Sequence, residues 1–220
     1  MRLSLKSSAK QTEGLHDAGD VSGGMNDPVL DGPAYALVLA AGGSSRFGAT
    51  KMLANWRGEP LIRAVMGVAL TSPVEGVVAV LGSSSDEIGC ALDDMGEGRL
   101  RLVVNTDWQS GLASSLRVGL SALPPDAARV VVFLGDMPLV SAALAAELLN
   151  ALGSASAALP LYRGQPAHPA AFRRSVFEAL DGLRGDQGAR STLQRLSDAV
   201  LIETEEPGSI FDVDYPADVS

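Results

Sequence analysis

Residues 130–136 read VVVFLGD, five uninterrupted apolar side chains that run into a glycine and an aspartate. A strand that is apolar at every position has no face for water, so it belongs in a sheet covered on both sides, as in α/β proteins. Asp136 then stands just past the carboxyl end of that strand, where open α/β sheets bind their ligands. Working outward, the apolar runs Ala34–Ala40, Gly76–Leu81, Leu100–Val104, 155–161 and 199–203 are also read as strands. Helical spacing lies between them. Leu61, Val65 and Ala69, with Ile62, Met66 and Leu70, recur at every fourth residue, and helices are expected at 86–95, Leu112–Ala122, 142–152, 171–183 and 189–196. The alternation predicts an α/β fold, a three-layer α/β/α sandwich around a mostly parallel central sheet.

The chain has 220 residues, of which 46% are hydrophobic and 20% charged, enough for one sizeable core. Residues 1–33 mix Ser, Gly, Asp and Lys without an apolar period and read as a disordered N-terminal extension, leaving a single domain over 34–220. No apolar run approaches the roughly eighteen residues of a membrane-spanning helix. Arg2, Lys6 and Lys10 are not followed by an apolar stretch, so no secretory signal is read and a cytoplasmic location is expected. The single cysteine, Cys90, excludes an intrachain disulfide and a multi-cysteine zinc cage; between Ile88 and Leu92 it is read as a small buried residue rather than a reactive thiol. A formal charge of −9 argues against nucleic acid or an anionic membrane as partner. Small phosphorylated ligands remain, because backbone amides and a few local cations can hold a phosphate in an acidic protein. No repeat of the length used by solenoids or propellers is visible.

Four strand ends carry chemistry. The first strand continues as LVLAAGGSSRFGATK (residues 37–51), an amide-rich glycine loop bearing Arg46 and Lys51. Its glycines do not fall as GxGxxG, and Ala49 and Thr50 separate Gly48 from Lys51, so it is neither a Rossmann fingerprint nor a Walker A loop. It suits a triphosphate, with amides around the oxygens and two cations balancing the charge. Asp136 in GDMPLV, and Asp212 and Asp214 in FDVDYPAD (residues 211–218), are the acids that could hold a hard cation. In an extended segment the last two share a face, and with Asp136 either one forms the oxygen-rich, incomplete site that Mg²⁺ prefers. NTDWQSGLASSLRVGL (residues 105–120) places small residues from Gly111 to Ser115 at a helix start, which offers free N–H groups, though Ser110 as a plain N-cap would also account for it. RGQPAHPAAF (residues 163–172) and GDQGAR (residues 185–190) follow, and His168, ahead of Pro169, reads on its own as a structural histidine.

Taken together these segments resemble the MobA/MocA-like nucleotidyltransferases, and among them the molybdenum cofactor cytidylyltransferases. Leu39, Ala40, Ala41, Gly42, Arg46, Gly48 and Lys51 match the spacing of the family's first loop; GDMP and D-x-D-x-P-x-D match its two metal-binding segments; Gly111, Ser114, Ser115, Leu116 and Arg117 match its nucleotide helix. Tyr215 stands where the family usually has Thr, and Leu112 where Met is frequent. The resemblance implies a Rossmann-like fold of the nucleotide-diphospho-sugar transferase type. It also implies transfer of CMP from CTP to the terminal phosphate of molybdopterin, giving molybdopterin cytosine dinucleotide and pyrophosphate. Arg46, Lys51 and Asp136 would be catalytic. Leu39, Ala40, Ala41, Gly42, Gly43, Arg46, Lys51, Gly111, Ser114 and Ser115 would bind the nucleotide, and Asp136 with Asp214 (Asp212 as second choice) would hold Mg²⁺. His168, Pro169, Asp186, Gly188 and Arg190 would line the acceptor side, with a molybdenum-containing dehydrogenase as recipient of the product. Ala41, in place of the glycine of guanylyl members, leans towards CTP. A guanylyl or sugar-phosphate nucleotidyltransferase and, from another class, a non-catalytic carrier of the cofactor stay open.

Overall fold

In the computed structural model, residues 32–44, 47–186 and 196–219 are described. Apart from Tyr35, every residue of strand β1 (Ala34–Ala40) is buried, because helices cover both faces of the sheet it occupies. Ala36, Val38 and Ala40 enter one core with Ile62, Val65, Met66, Leu144 and Leu148. Leu37 and Leu39 enter the other with Val78, Val80, Leu116 and Leu180. Alternate side chains thus serve opposite layers, which is why no polar residue interrupts the run.

The remaining elements are β2 (Asn55–Trp56), β3 (Glu59–Pro60), α1 (Leu61–Thr71), β4 (Gly76–Leu81), α2 (Ser85–Leu92), β5 (Leu100–Val104), α3 (Leu112–Ala122), β6 (Arg129–Leu134), α4 (Ala142–Ala151), β7 (Ala157–Tyr162), β8 (Gln165–Pro166), β9 (Ala170–Arg173), α5 (Phe177–Asp181) and β10 (Val200–Thr204). The main sheet runs β10-β7-β9-β6-β1-β4-β5, β8 pairs with β7, and β2 and β3 form a separate hairpin. β1 pairs in parallel with both β4 and β6, and β4 with β5. From β1 the chain builds outward through β4 and β5, then returns to the other side of β1 as β6. That reversal makes the crevice beyond the carboxyl ends of β1 and β6 the place for a ligand. The protein has the three-layer α/β architecture around a mostly parallel sheet that its sequence predicts.

Three expectations are corrected. Residues 171–183 are not one helix: β9 runs antiparallel between β6 and β7, and α5 follows after a 3-10 turn. The apolar residues Ala170 to Phe172 fill the gap between two strands, and that long-range pairing outweighs their local helical spacing. Cys90 is exposed, because α2 buries Ile88 and Leu92 and position 90 lies on its far side. The helix read at 86–95 ends at Leu92, and residues 93–95 are turn and bend. The helix read at 189–196 falls almost entirely outside the described residues. Residues 1–31 lie outside them too, while Gly32 is held by the Arg129 guanidinium at 3.1 Å. Among the described residues no helix is long and apolar enough to cross a membrane.

Candidate active site

Lys51 opens a 3-10 turn after the first loop, and its backbone N–H donates to the Ser44 hydroxyl at 3.2 Å. Its side chain, 11% exposed, turns into the crevice, donating to Asp136 Oδ2 at 2.9 Å and to Asp214 Oδ1 at 3.5 Å. Asp136 is carried two residues beyond β6. Asp214 arrives on a C-terminal strap whose Val213 N–H donates to the Asp136 carbonyl at 2.9 Å. The Val213 side chain is fully buried with Trp56 and Leu61, and this anchor turns its two neighbours, Asp212 and Asp214, the other way, towards Asp136. The Asp218 carboxylate accepts from the N–H groups of Asp214 and Tyr215 at 2.9 and 2.7 Å and closes the turn behind them.

Carboxylate oxygens of Asp136, Asp212 and Asp214 all lie within 4.8 Å of one another. Desolvation raises the Asp212 carboxyl above its ordinary range, and the negative charges of Asp214 and Asp136 push it further up. A set of hard oxygen ligands, two of them bonded to the Lys51 ammonium, fits a hard divalent cation, with open positions left for phosphate oxygens and water.

The crevice continues from this cluster into a cavity of about 410 Å³. One wall is the first loop, Leu39 to Ser44; the other is the β5–α3 connection, with Trp108, Gln109, Gly111, Leu112 and Ser115. Asn105, 2% exposed, holds that second wall. Its amide donates to the hydroxyls of Ser114 and Ser115 at 2.8 and 3.0 Å, and its carbonyl accepts from Asp107 N–H at 2.9 Å. No side chain caps α3, whose N-cap is Gly111 and not Ser110, and the Ser114 N–H bonds back to the Gly111 carbonyl at 3.1 Å. Gly111 has φ +99°, and a Cβ there would collide with the backbone of Gly185 and lie 2.8 Å from Asp186 Oδ1. The loop after α5 is docked on this helix start: Ala113 N–H donates to the Gly185 carbonyl at 3.0 Å, and Arg117 to the Leu183 carbonyl at 2.9 Å. Asp186 is thereby brought into the cavity lining.

Of the residues singled out in the sequence, Leu39, Ala40, Ala41, Gly42, Gly43, Lys51, Gly111, Ser115, Asp136 and Asp186 line this one cavity. Ser114 does not; it is buried in the Asn105 network, with its hydroxyl also 2.8 Å from the Gly111 carbonyl. Asp212 and Asp214 both reach Asp136. His168 and Pro169 lie before β9 and outside the cavity lining, the His168 N–H donating to the Ser209 carbonyl at 2.8 Å. Arg46, Gly188 and Arg190 lie outside the described residues. Trp108 and Gln109 carry no motif that marks them in the sequence. The signal available is position: they follow closely on the carboxyl end of a strand.

A family model described as a MobA-like NTP transferase domain matches residues 36–200. Purine catabolism protein PucB of Bacillus subtilis (strain 168) is 30% identical over 202 residues, covering 87% of this chain and 95% of its own length. Among solved structures, Rv0371c of Mycobacterium tuberculosis H37Rv superimposes with a TM-score of 0.73 at 27% identity, covering 85% of this chain and 95% of that one. Its complex with manganese gives a TM-score of 0.65 at 25% identity, over 86% and 93%. Molybdopterin-guanine dinucleotide biosynthesis protein A of Archaeoglobus fulgidus shares the fold, with a TM-score of 0.61 at 20% identity over 84% and 94%.

Proposed function

The chain belongs to the MobA-like NTP transferase domain family, and from that premise we propose that it transfers CMP from CTP to the terminal phosphate of molybdopterin. That it is a nucleotidyltransferase follows from the family; the base and the acceptor are the proposal. An oxygen of the acceptor phosphate forms a bond to the α-phosphorus of CTP while the bond from that phosphorus to the bridging oxygen of pyrophosphate breaks. The attacking phosphate monoester is already an anion, so no general base is needed, and the protein's task is alignment and charge neutralisation.

The observation that carries the reading is Lys51 shared between Asp136 and Asp214 at the end of a cavity walled by an amide-rich loop. The loop from Leu39 to Gly43 and the start of α3, with Gly111 and Ser115, cradle the nucleotide. Arg46 and Lys51 balance the charge of the α-phosphate and of the departing pyrophosphate. Asp136 and Asp214, with Asp212 at the rim, would hold Mg²⁺, which when bound supplies Lewis-acid polarisation of the phosphoryl oxygens. The manganese complex of Rv0371c supports a divalent cation in this fold. His168, Pro169, Asp186, Gly188 and Arg190 are assigned to the acceptor side. A molybdenum-containing dehydrogenase is proposed as recipient of the product, and the PucB relative is compatible by its name, which places it in purine catabolism.

The test is a pyrophosphate-release screen over CTP, GTP, ATP and UTP with purified molybdopterin and Mg²⁺. Release with CTP in preference to the others is expected. Release with GTP would make the protein a guanylyltransferase. Stoichiometric binding of the cofactor with no release under any triphosphate would make it a carrier.

A further inference from the structure

The strand order lays the residues of the cavity out along one edge of the sheet. Asp136 follows β6, the loop from Ala41 follows β1, Gly82 follows β4 and Trp108 lies in the connection after β5, so these points step along one edge of the sheet in the order β6, β1, β4, β5. Three strand spacings of about 4.8 Å make about 14 Å, comparable to an extended nucleoside triphosphate. Lys51 and the carboxylates stand at the β6 end and receive the phosphates. The base is left with the β5 end.

There the half-buried indole of Trp108 sits in a slot cut by two glycines. A Cβ on Gly43 would lie 2.6 and 2.7 Å from Cζ3 and Cη2 of the indole, and a Cβ on Gly82 would lie 2.8 Å from both Trp108 Cβ and Ala41 Cβ. The six-membered ring therefore closes over the first loop at Gly43, and any side chain at position 43 or 82 would displace it. Trp108 also lines the cavity beside Gln109 and Leu112. It offers an aromatic surface to a planar base and, by occupying the space above Gly43, narrows that end of the cavity.

We infer that Trp108 is the wall of the base subsite, stacking on a pyrimidine and leaving no width for the second ring of a purine. This rests on the nucleotidyltransferase reading and deepens it by naming the class of base and the residue that selects it.

The experiment is equilibrium dialysis of the full chain with Mg²⁺ and either CTP or GTP, without acceptor, on the parent, Trp108→Ala and Trp108→Phe, with circular dichroism and Tm to establish that each variant folds. Trp108→Ala should weaken CTP binding about tenfold or more and bring GTP within a few-fold of CTP, while Trp108→Phe recovers most of the CTP affinity. The chain has two tryptophans; CTP should quench the emission of Trp56→Phe and leave that of Trp108→Phe unchanged. Equal losses for CTP and GTP in Trp108→Ala, a parent that prefers GTP, or quenching that persists in Trp108→Phe would each overturn the inference. A parent that binds no nucleoside triphosphate overturns the nucleotidyltransferase reading as well, so the two failures are told apart by the parent alone.

Discussion

The ammonium of Lys51 lies 2.9 Å from the Asp136 carboxylate, which is 85 residues away in sequence, and 3.5 Å from the Asp214 carboxylate, 163 residues away. One side chain thus ties the first loop to the end of β6 and to the C-terminal strap. It neutralises in place acids that would otherwise repel one another.

Asp136→Asn keeps the size of the side chain and removes its charge. Turnover in the pyrophosphate-release assay is expected to fall roughly 10²-fold to 10³-fold or more, with an unchanged far-ultraviolet spectrum. Parent-level turnover in this variant would take Asp136 out of the cation site.

Lys51→Met bears on the competition between the ammonium and a divalent ion for the same two carboxylates. Without nucleotide, Mn²⁺ binding followed by electron paramagnetic resonance should tighten, because the cation no longer displaces a resident positive charge. Turnover should fall, because the phosphates lose a counter-charge. Weaker Mn²⁺ binding in the variant would show that Lys51 shapes the site instead of competing for it.

Gly111→Ala forces a side chain into a backbone conformation that essentially only glycine adopts, against Gly185 and Asp186. The strain is worth about 1 to 3 kcal/mol. The variant should show a lower Tm and a raised KM for the nucleotide, since the helix start and the 183–186 loop move apart. A parent-like KM would mean that this loop takes no part in holding the nucleotide.

The centre of the fold is legible in the sequence because β1, β4 and β6 are buried on both faces, and a continuous apolar run of strand length bounded by glycine suits a covered parallel strand better than any half-exposed element. β9 is not legible. Ala170, Ala171 and Phe172 run into Val176, Phe177 and Leu180 with a spacing that also suits a helix, and what decides is pairing with Val130 to Val132 and Ala157 to Ala158, far away in sequence. The two-residue strands of the β2–β3 hairpin and β8 are too short to leave a pattern. In the site, the strand-end position of Asp136, the paired spacing of Asp212 and Asp214 and the glycines of the first loop can all be read locally. The role of Trp108 cannot, because the slot it fills is made by Gly43 and Gly82, which leave different strands. Cys90 reads as buried only because its apolar neighbours in sequence, Ile88 and Leu92, point to the opposite side of α2.

Away from the site, Arg63 on α1 pairs with Asp94 after α2 and donates to the Ala91 carbonyl at 2.7 Å. The hydrogen bond from Arg63 holds the Asp94 carboxyl below its ordinary value of 3.8. A carboxyl lowered in the folded state contributes stability above its unfolded value and loses it as the pH falls through the folded one. Asp94→Asn should therefore lower Tm slightly at neutral pH, and the gap to the parent should close below about pH 4. A gap that persists in acid would assign the effect to something other than this pair.

The strap that delivers Asp214 makes affinity for a cation a property of the finished tertiary structure. Lys51, Asp136 and Asp214 are strangers in the unfolded ensemble, so a divalent ion has nothing comparable to grip there. By mass action such an ion, at a hundred times its dissociation constant, deepens the native well by about 2.7 kcal/mol. An ion held there would thereby guard the protein against proteolysis and thermal loss.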